Sequence, residues 1–226
     1  MHQALPEVDV YGAVHKGVRY ALLDLLRRMG TVSPLETANV EMVLDDLDGL
    51  FYLCAAHAEH EERFVHQRVE ERAPGALARF DTAHAALSEV LEAMRALMVE
   101  VQGATPETRA AHYRHLYLRY ASFVAQALEH MTQEELEIQP LLDRLFTADE
   151  VREIYATISA AVGPEELRVF LRVMIPAATP VERVSLLAQP KAALSREDFE
   201  ALMQTVRRCL TSAEARDLER RLEQAE

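Results

Sequence analysis

The 226-residue chain contains no tryptophan, seven glycines and two cysteines, Cys54 and Cys209. Cysteines so far apart supply neither a disulfide framework nor a C-x-x-C site, so a reduced, cytoplasmic setting is the expectation. The chain is also short of positive charge: 24 basic residues face 37 acidic ones, for a net charge of −13. Such a surface repels nucleic acid and anionic membranes, and neither is expected as a partner. No apolar run is long enough to span a bilayer, and the N-terminus lacks the charged-then-apolar pattern of a signal segment. Alternating β-branched runs are missing as well, which argues against a sheet. What remains is a chain that is 50% apolar and 27% charged, the make-up of an ordinary soluble globular protein.

Punctuation is widely spaced, as long helices require. A first helix is expected from Val10 to Met29, stopped by Gly30. Ser33-Pro34-Leu35-Glu36 combines an N-cap serine, a proline at the first helical position and a capping-box glutamate. It predicts a second helix reaching Arg72, before Ala73-Pro74-Gly75. A third spans Leu77 to Gln102, and Thr105-Pro106 opens a fourth to Leu145 with a bend near Pro140. Four long helices with short connections predict an all-α fold: an antiparallel up-down-up-down four-helix bundle over residues 1–147. Shorter helices follow over Ala148–Val162, Pro164–Val173, Pro180–Gln189, Ser195–Leu210 and Thr211–Gln224, with caps at Ser195/Asp198 and Thr211/Glu214. Residues 148–226 therefore read as a C-terminal helical extension, packing on the bundle, against a second copy to give a homodimer, or against a partner protein.

The inward stripes of the four long helices carry the chemistry. They read Tyr11, His15, Val18, Leu22, Leu25, Met29; then Leu47, Leu50, Cys54, His57, Glu61, Phe64; then Phe80, His84, Leu87, Leu91, Met94, Met98, Val101. The fourth reads Tyr113, Leu116, Tyr120, Phe123, Ala127, His130, Glu134, Ile138, Leu141. His57 and Glu61, like His130 and Glu134, stand four residues apart and so share a helix face. Counting at ~1.5 Å per residue puts His84 and His130 within about 9 Å of one level, and His15 and His57 within about 13 Å. Ionisable groups in an apolar core cost several kcal/mol unless paired or metal-bound. Imidazole and carboxylate donors suit iron, zinc or manganese.

His15, His57-x-x-x-Glu61, His84 and His130-x-x-x-Glu134, one set across four helices, resemble the hemerythrin-like (HHE cation-binding) family over Val10 to Phe146. The Glu129–Leu142 stretch, with its acidic run and Gln139-Pro140, is similar to iron-sensing members. The resemblance implies a non-haem di-iron centre, oxo- or hydroxo-bridged, that binds dioxygen, another small diatomic or peroxide for sensing, storage or detoxification. By the same resemblance, His15 and His57 bind one iron, His84 and His130 the other, and Glu61 and Glu134 bridge the two. A di-iron oxidase or peroxidase acting on a separate substrate, and an iron-responsive regulatory module, are the alternatives. The oxygen carriers have a fifth histidine where this chain has Phe80, and an aspartate one residue beyond the Glu134 position. More open metal positions, and so greater reactivity, are the expectation.

Other polar residues read more plainly. His60 borders the ligand stripe and reads as a rim residue, with an extra ligand as the alternative, and Arg19 reads equally as a hydrogen-bond partner of a ligand or as a salt-bridge residue. Tyr113, Tyr117 and Tyr120 read as packing residues, any one of them placed to face a metal-bound species. Cys54 reads as a small buried hydrophobe. Glu62, Glu135, His66, His112 and His115 are expected in solvent, and His2 in a frayed terminus.

Overall fold

The computed structural model of the protein describes residues 6–224, so His2 lies outside it. Among the described residues the fold is all-α, without strands. The helices are α1 (Gly12–Thr31), α2 (37–72), α3 (Ala78–Gly103), α4 (106–145), α5 (Ala148–Ala161), α6 (Pro164–Ala177), α7 (Pro180–Ala193), α8 (Arg196–Arg208) and α9 (Ser212–Gln224). Among the described residues, no helix is long and apolar enough to cross a membrane.

Two of these helices are not uniform. α2 is α-helical over Thr37–His60 and Gln67–Arg72 with a π-helical turn, Glu61–His66, between them. α4 repeats the design, with Pro106–Gln133, a π-helical turn at Glu134–Ile138, and Gln139–Leu145. The irregularity expected at Pro140 thus falls in the turn before it, where a widened i→i+5 turn accommodates the missing amide donor. The capping box expected at Ser33 and Glu36 does not form. Glu36 N donates to Ser33 O at 3.0 Å in a tight turn, the Glu36 carboxylate takes the Asn39 side chain instead, and α2 opens one residue later, at Thr37.

Contacts divide the chain into two compact units, Met1–Tyr11 with Ala21–Ser159, and Gly12–Tyr20 with Ala160–Glu226. In the first unit, α3 packs against both α2 and α4, and the C-terminal turns of α2 and α4 meet. Tyr113 and Tyr120 on α4 donate their buried hydroxyls to the α1 carbonyls of Met29 (3.0 Å) and Leu22 (2.9 Å). These tyrosines are packing residues. One core cluster of this unit gathers Val10, Tyr11, Val65, Val69, Leu77, Phe80, Ile138, Leu142, Phe146, Val151 and Ile154. Burial on α2 moves from the expected Phe64 to Val65, and on α4 from Leu141 to Leu142. A π turn holds one extra residue, so the stripe beyond each one advances by one position.

In the second unit, α6 to α9 enclose Leu171, Ile175, Leu187, Leu202, Met203, Val206, Leu218 and Leu222. Buried Arg183 fixes it by donating to the Ile175 carbonyl and to Glu214, both at 2.9 Å. Ser195 caps α8 and Thr211 with Glu214 caps α9, as their sequences predict. A further capping box, Thr179 with Glu182, opens α7. α6 and α7 run past their expected ends through Pro176 and Pro190, each proline removing a single amide donor near a helix end. Gly17 on α1 lies against α6: a Cβ there would come within 2.9 Å of Met174 Cγ and 3.0 Å of its backbone.

One tie in the first unit gives a pH-dependent prediction. The Glu150 carboxylate accepts from Arg72 and from Thr147 N at 2.8 Å, capping α5. Those bonds hold it down to about 2, against an ordinary 4.5. A carboxylate depressed on folding stabilises the protein above its unfolded value and loses that contribution as pH falls through the folded one. Urea-unfolding midpoints of the wild type and Glu150→Gln are therefore expected to differ at neutral pH and to converge between pH 4.5 and about 2. A constant difference across that range would refute the assignment.

Candidate metal centre

All six residues singled out from the stripes are buried, His15 and Glu134 completely. Within the first unit five of them form two groups: His84, His130 and Glu134, with one ligand atom from every residue within 4.8 Å of the others, and His57 with Glu61. The first of these can hold a metal ion. Each glutamate is the first residue of a π-helical turn, and each is preceded by its histidine on the last turn of regular helix. The same local device is thus built twice, on α2 and on α4. Single π turns inside α-helices are found frequently at functional sites.

The carboxylates form a web with the imidazoles. His57 Nε2 stands 3.2 Å from Glu61 Oε1, and His84 Nε2 stands 3.5 Å from Glu61 Oε2. Glu61 therefore offers one oxygen to a histidine of each group. Glu134 Oε1 lies 3.2 Å from His84 Nε2 and 3.0 Å from His130 Nε2. The His84 and His130 rings meet edge to face at 4.7 Å between centroids. On its far side, His84 Nδ1 is 3.0 Å from Glu62 Oε1. That contact fixes the ring and leaves Nε2 directed at the carboxylates, the carboxylate–histidine arrangement that supports metal ligands.

Electrostatics reflect the crowding. Burial acts to lower the basicity of His84, but hydrogen bonds to Glu134 and Glu61, with their charges, carry it up to about 10. Burial and the charge of Glu61 act to raise the Glu134 carboxyl, and hydrogen bonds from His130 and His84 outweigh them and hold it low. A proton on His84 thus offsets carboxylate charge in the metal-free protein, and a cation entering the web takes its place. The donor set of nitrogen and oxygen, with no thiolate, suits iron, manganese or zinc. Cys54 does not join it: burial pushes its thiol up to about 12.

Three residues near the site escaped sequence reasoning. His66, expected in solvent, is buried, donates or accepts at Nδ1 with Asp81 Oδ1 at 2.7 Å, and stacks on His84 at 5.3 Å with an 8° interplanar angle. Glu62 is exposed as expected, yet it orients His84. Tyr11, expected only as a stripe residue, is 1% exposed. Burial, then the charges of Glu61 and Glu134, raise its phenol well above the ordinary value, so the hydroxyl stays protonated beside those carboxylates. Its four-residue spacing to His15 was the available signal. Phe80 stands 6.1 Å from His130, ring to ring, and seals that side with an apolar face. His60 stays outside both groups with its ring 5.9 Å from Phe64, and His112 pairs with Glu100 at 3.2 Å near the surface. Searches against protein families, curated proteins and solved structures find no match to this chain.

Proposed function

We propose that the protein is a non-haem di-iron protein of the hemerythrin-like kind, its first four helices forming an antiparallel up-down-up-down bundle, and that it binds dioxygen or a related small oxidant. The observation that supports this reading most directly is Glu61, whose two oxygens face histidines of separate ligand groups. A carboxylate so placed suits a pair of metal ions better than two independent ones. The buried donors fit the metal, since six ionisable groups in an apolar interior need a compensating charge.

Iron bound by these residues would supply reversible electron transfer to a small oxygen ligand. The chain's own contribution is positional. His15, His57, His84 and His130 each present a ring nitrogen, Glu61 spans the two groups through His57 and His84, and Glu134 faces His84 and His130. Glu62 keeps His84 in one orientation, and Phe80 with Ile138 excludes water. Phe80 contributes no donor where a saturated carrier has one, which supports binding and reaction of a small oxidant over inert storage.

Iron analysis of purified protein, with visible spectra in the reduced and the air-exposed states, tests the proposal. Two irons per chain and an oxo-bridge-type absorption after exposure to air are expected. Zinc alone, or no metal after growth in iron-replete medium, would sink it.

A further inference from the structure

We propose that Tyr11 is a working part of this centre: its hydroxyl is the hydrogen-bond donor to the small ligand held between the two metal groups. The inference rests on the di-iron reading and adds a residue to it.

Position carries the argument. Tyr11 is four residues before His15, Val65 four after Glu61, Phe80 four before His84 and Ile138 four after Glu134. All four are buried and belong to one packed cluster, so they form the layer adjoining the ligands. Val65, Phe80 and Ile138 give that layer apolar walls, and Tyr11 alone of the four brings a donor. The charged groups acting on its hydroxyl are the carboxylates of Glu61 and Glu134, one from each metal group.

The backbone that presents Tyr11 is also fixed. Gln139, itself buried, accepts from Val10 N and donates to Val8 O, both at 3.0 Å. Tyr11 N donates to Asp9 Oδ1 at 3.1 Å. Gln139 is the first residue after the α4 π turn that begins with Glu134. The same turn that sets the carboxylate therefore clamps the segment carrying the phenol.

Azide titration of the air-oxidised iron protein, followed by its visible spectrum, tests this in the full chain. Tyr11→Phe keeps the ring and removes the donor. It is expected to retain the wild-type iron content and melting temperature and to bind azide about 3- to 10-fold more weakly, the worth of one hydrogen bond. Gln139→Leu, which frees the Val8–Val10 segment, is expected to weaken azide similarly and serves should the first variant misfold. Unchanged azide affinity at full iron content would overturn the proposal. So would loss of iron from folded Tyr11→Phe, which would make the phenol a metal ligand instead. A wild-type protein that takes up no iron fails earlier, and fails the di-iron reading rather than this one.

Discussion

Glu134→Ala is expected to strip iron from the protein and to lower its melting temperature in the same variant. Glu134 is fully buried, and its Oε1 lies within 3.2 Å of both His84 and His130. Two losses add. In the metal-free protein, removing one partner of a buried charged web leaves the others uncompensated, at a cost of about 3–5 kcal/mol. In the iron-loaded protein the variant also forfeits binding energy that is linked to folding, about 2.7 kcal/mol when free metal is near a hundred times its dissociation constant. The gap between wild type and variant should therefore be wider with iron than after chelation. Metal analysis and thermal melts on both forms read this directly. Equal iron content, or an equal gap in the two forms, would remove Glu134 from the centre.

The companion variant His130→Ala should follow the same course, because His130 is the regular-helix half of the His130–Glu134 pair. Why these two could be paired from sequence, and why their surroundings could not, has one physical cause. Residues four apart share a face on an α-helix, so His57 with Glu61 and His130 with Glu134 are legible from spacing alone. Core stripes of period three-and-four likewise place α1 to α4 within a few residues of their observed bounds. Both stripes fail at the same point, just past the glutamates. Residues five apart on an α-helix lie about 140° from one another at ~100° per residue. By ordinary counting His66, five after Glu61, faces solvent, and Gln139, five after Glu134, falls off the inward stripe.

The π turns bring both inward, and both are 5% exposed. Nothing in composition or hydropathy announces an inserted residue, since the apolar period resumes beyond it with a shift of one. The consequence reaches function. His66 stacks on a ligand, and Gln139 clamps the segment that carries Tyr11, so the two residues least legible in the sequence are those that shape the site's surroundings. Glu62 was hidden for a different reason: side-chain exposure of 51% is compatible with holding His84 through one oxygen.

The triple variant His84→Leu/His130→Leu/Glu134→Leu is expected to have the opposite stability effect from Glu134→Ala in metal-free protein, while abolishing metal binding at that group. Replacing every member of a buried charged set with well-packed apolar side chains removes the desolvation cost without stranding a partner, and is often neutral or stabilising by about 1–4 kcal/mol. The surroundings favour the gain. Phe80, Val65 and Ile138 already line this region, and leucine is close in size to histidine and glutamate. Of the groups left behind, Glu61 keeps His57 at 3.2 Å, and Glu62 turns back to water. Chemical unfolding of chelated proteins should place the triple variant at or above the wild type and Glu134→Ala below it. If the triple variant falls below wild type, the web is stabilising in its own right, and the case that it is held in the core for a metal loses its energetic basis. If the order is as expected, these three ionisable residues lower the stability of the metal-free chain, and the compensation comes from the cation they bind.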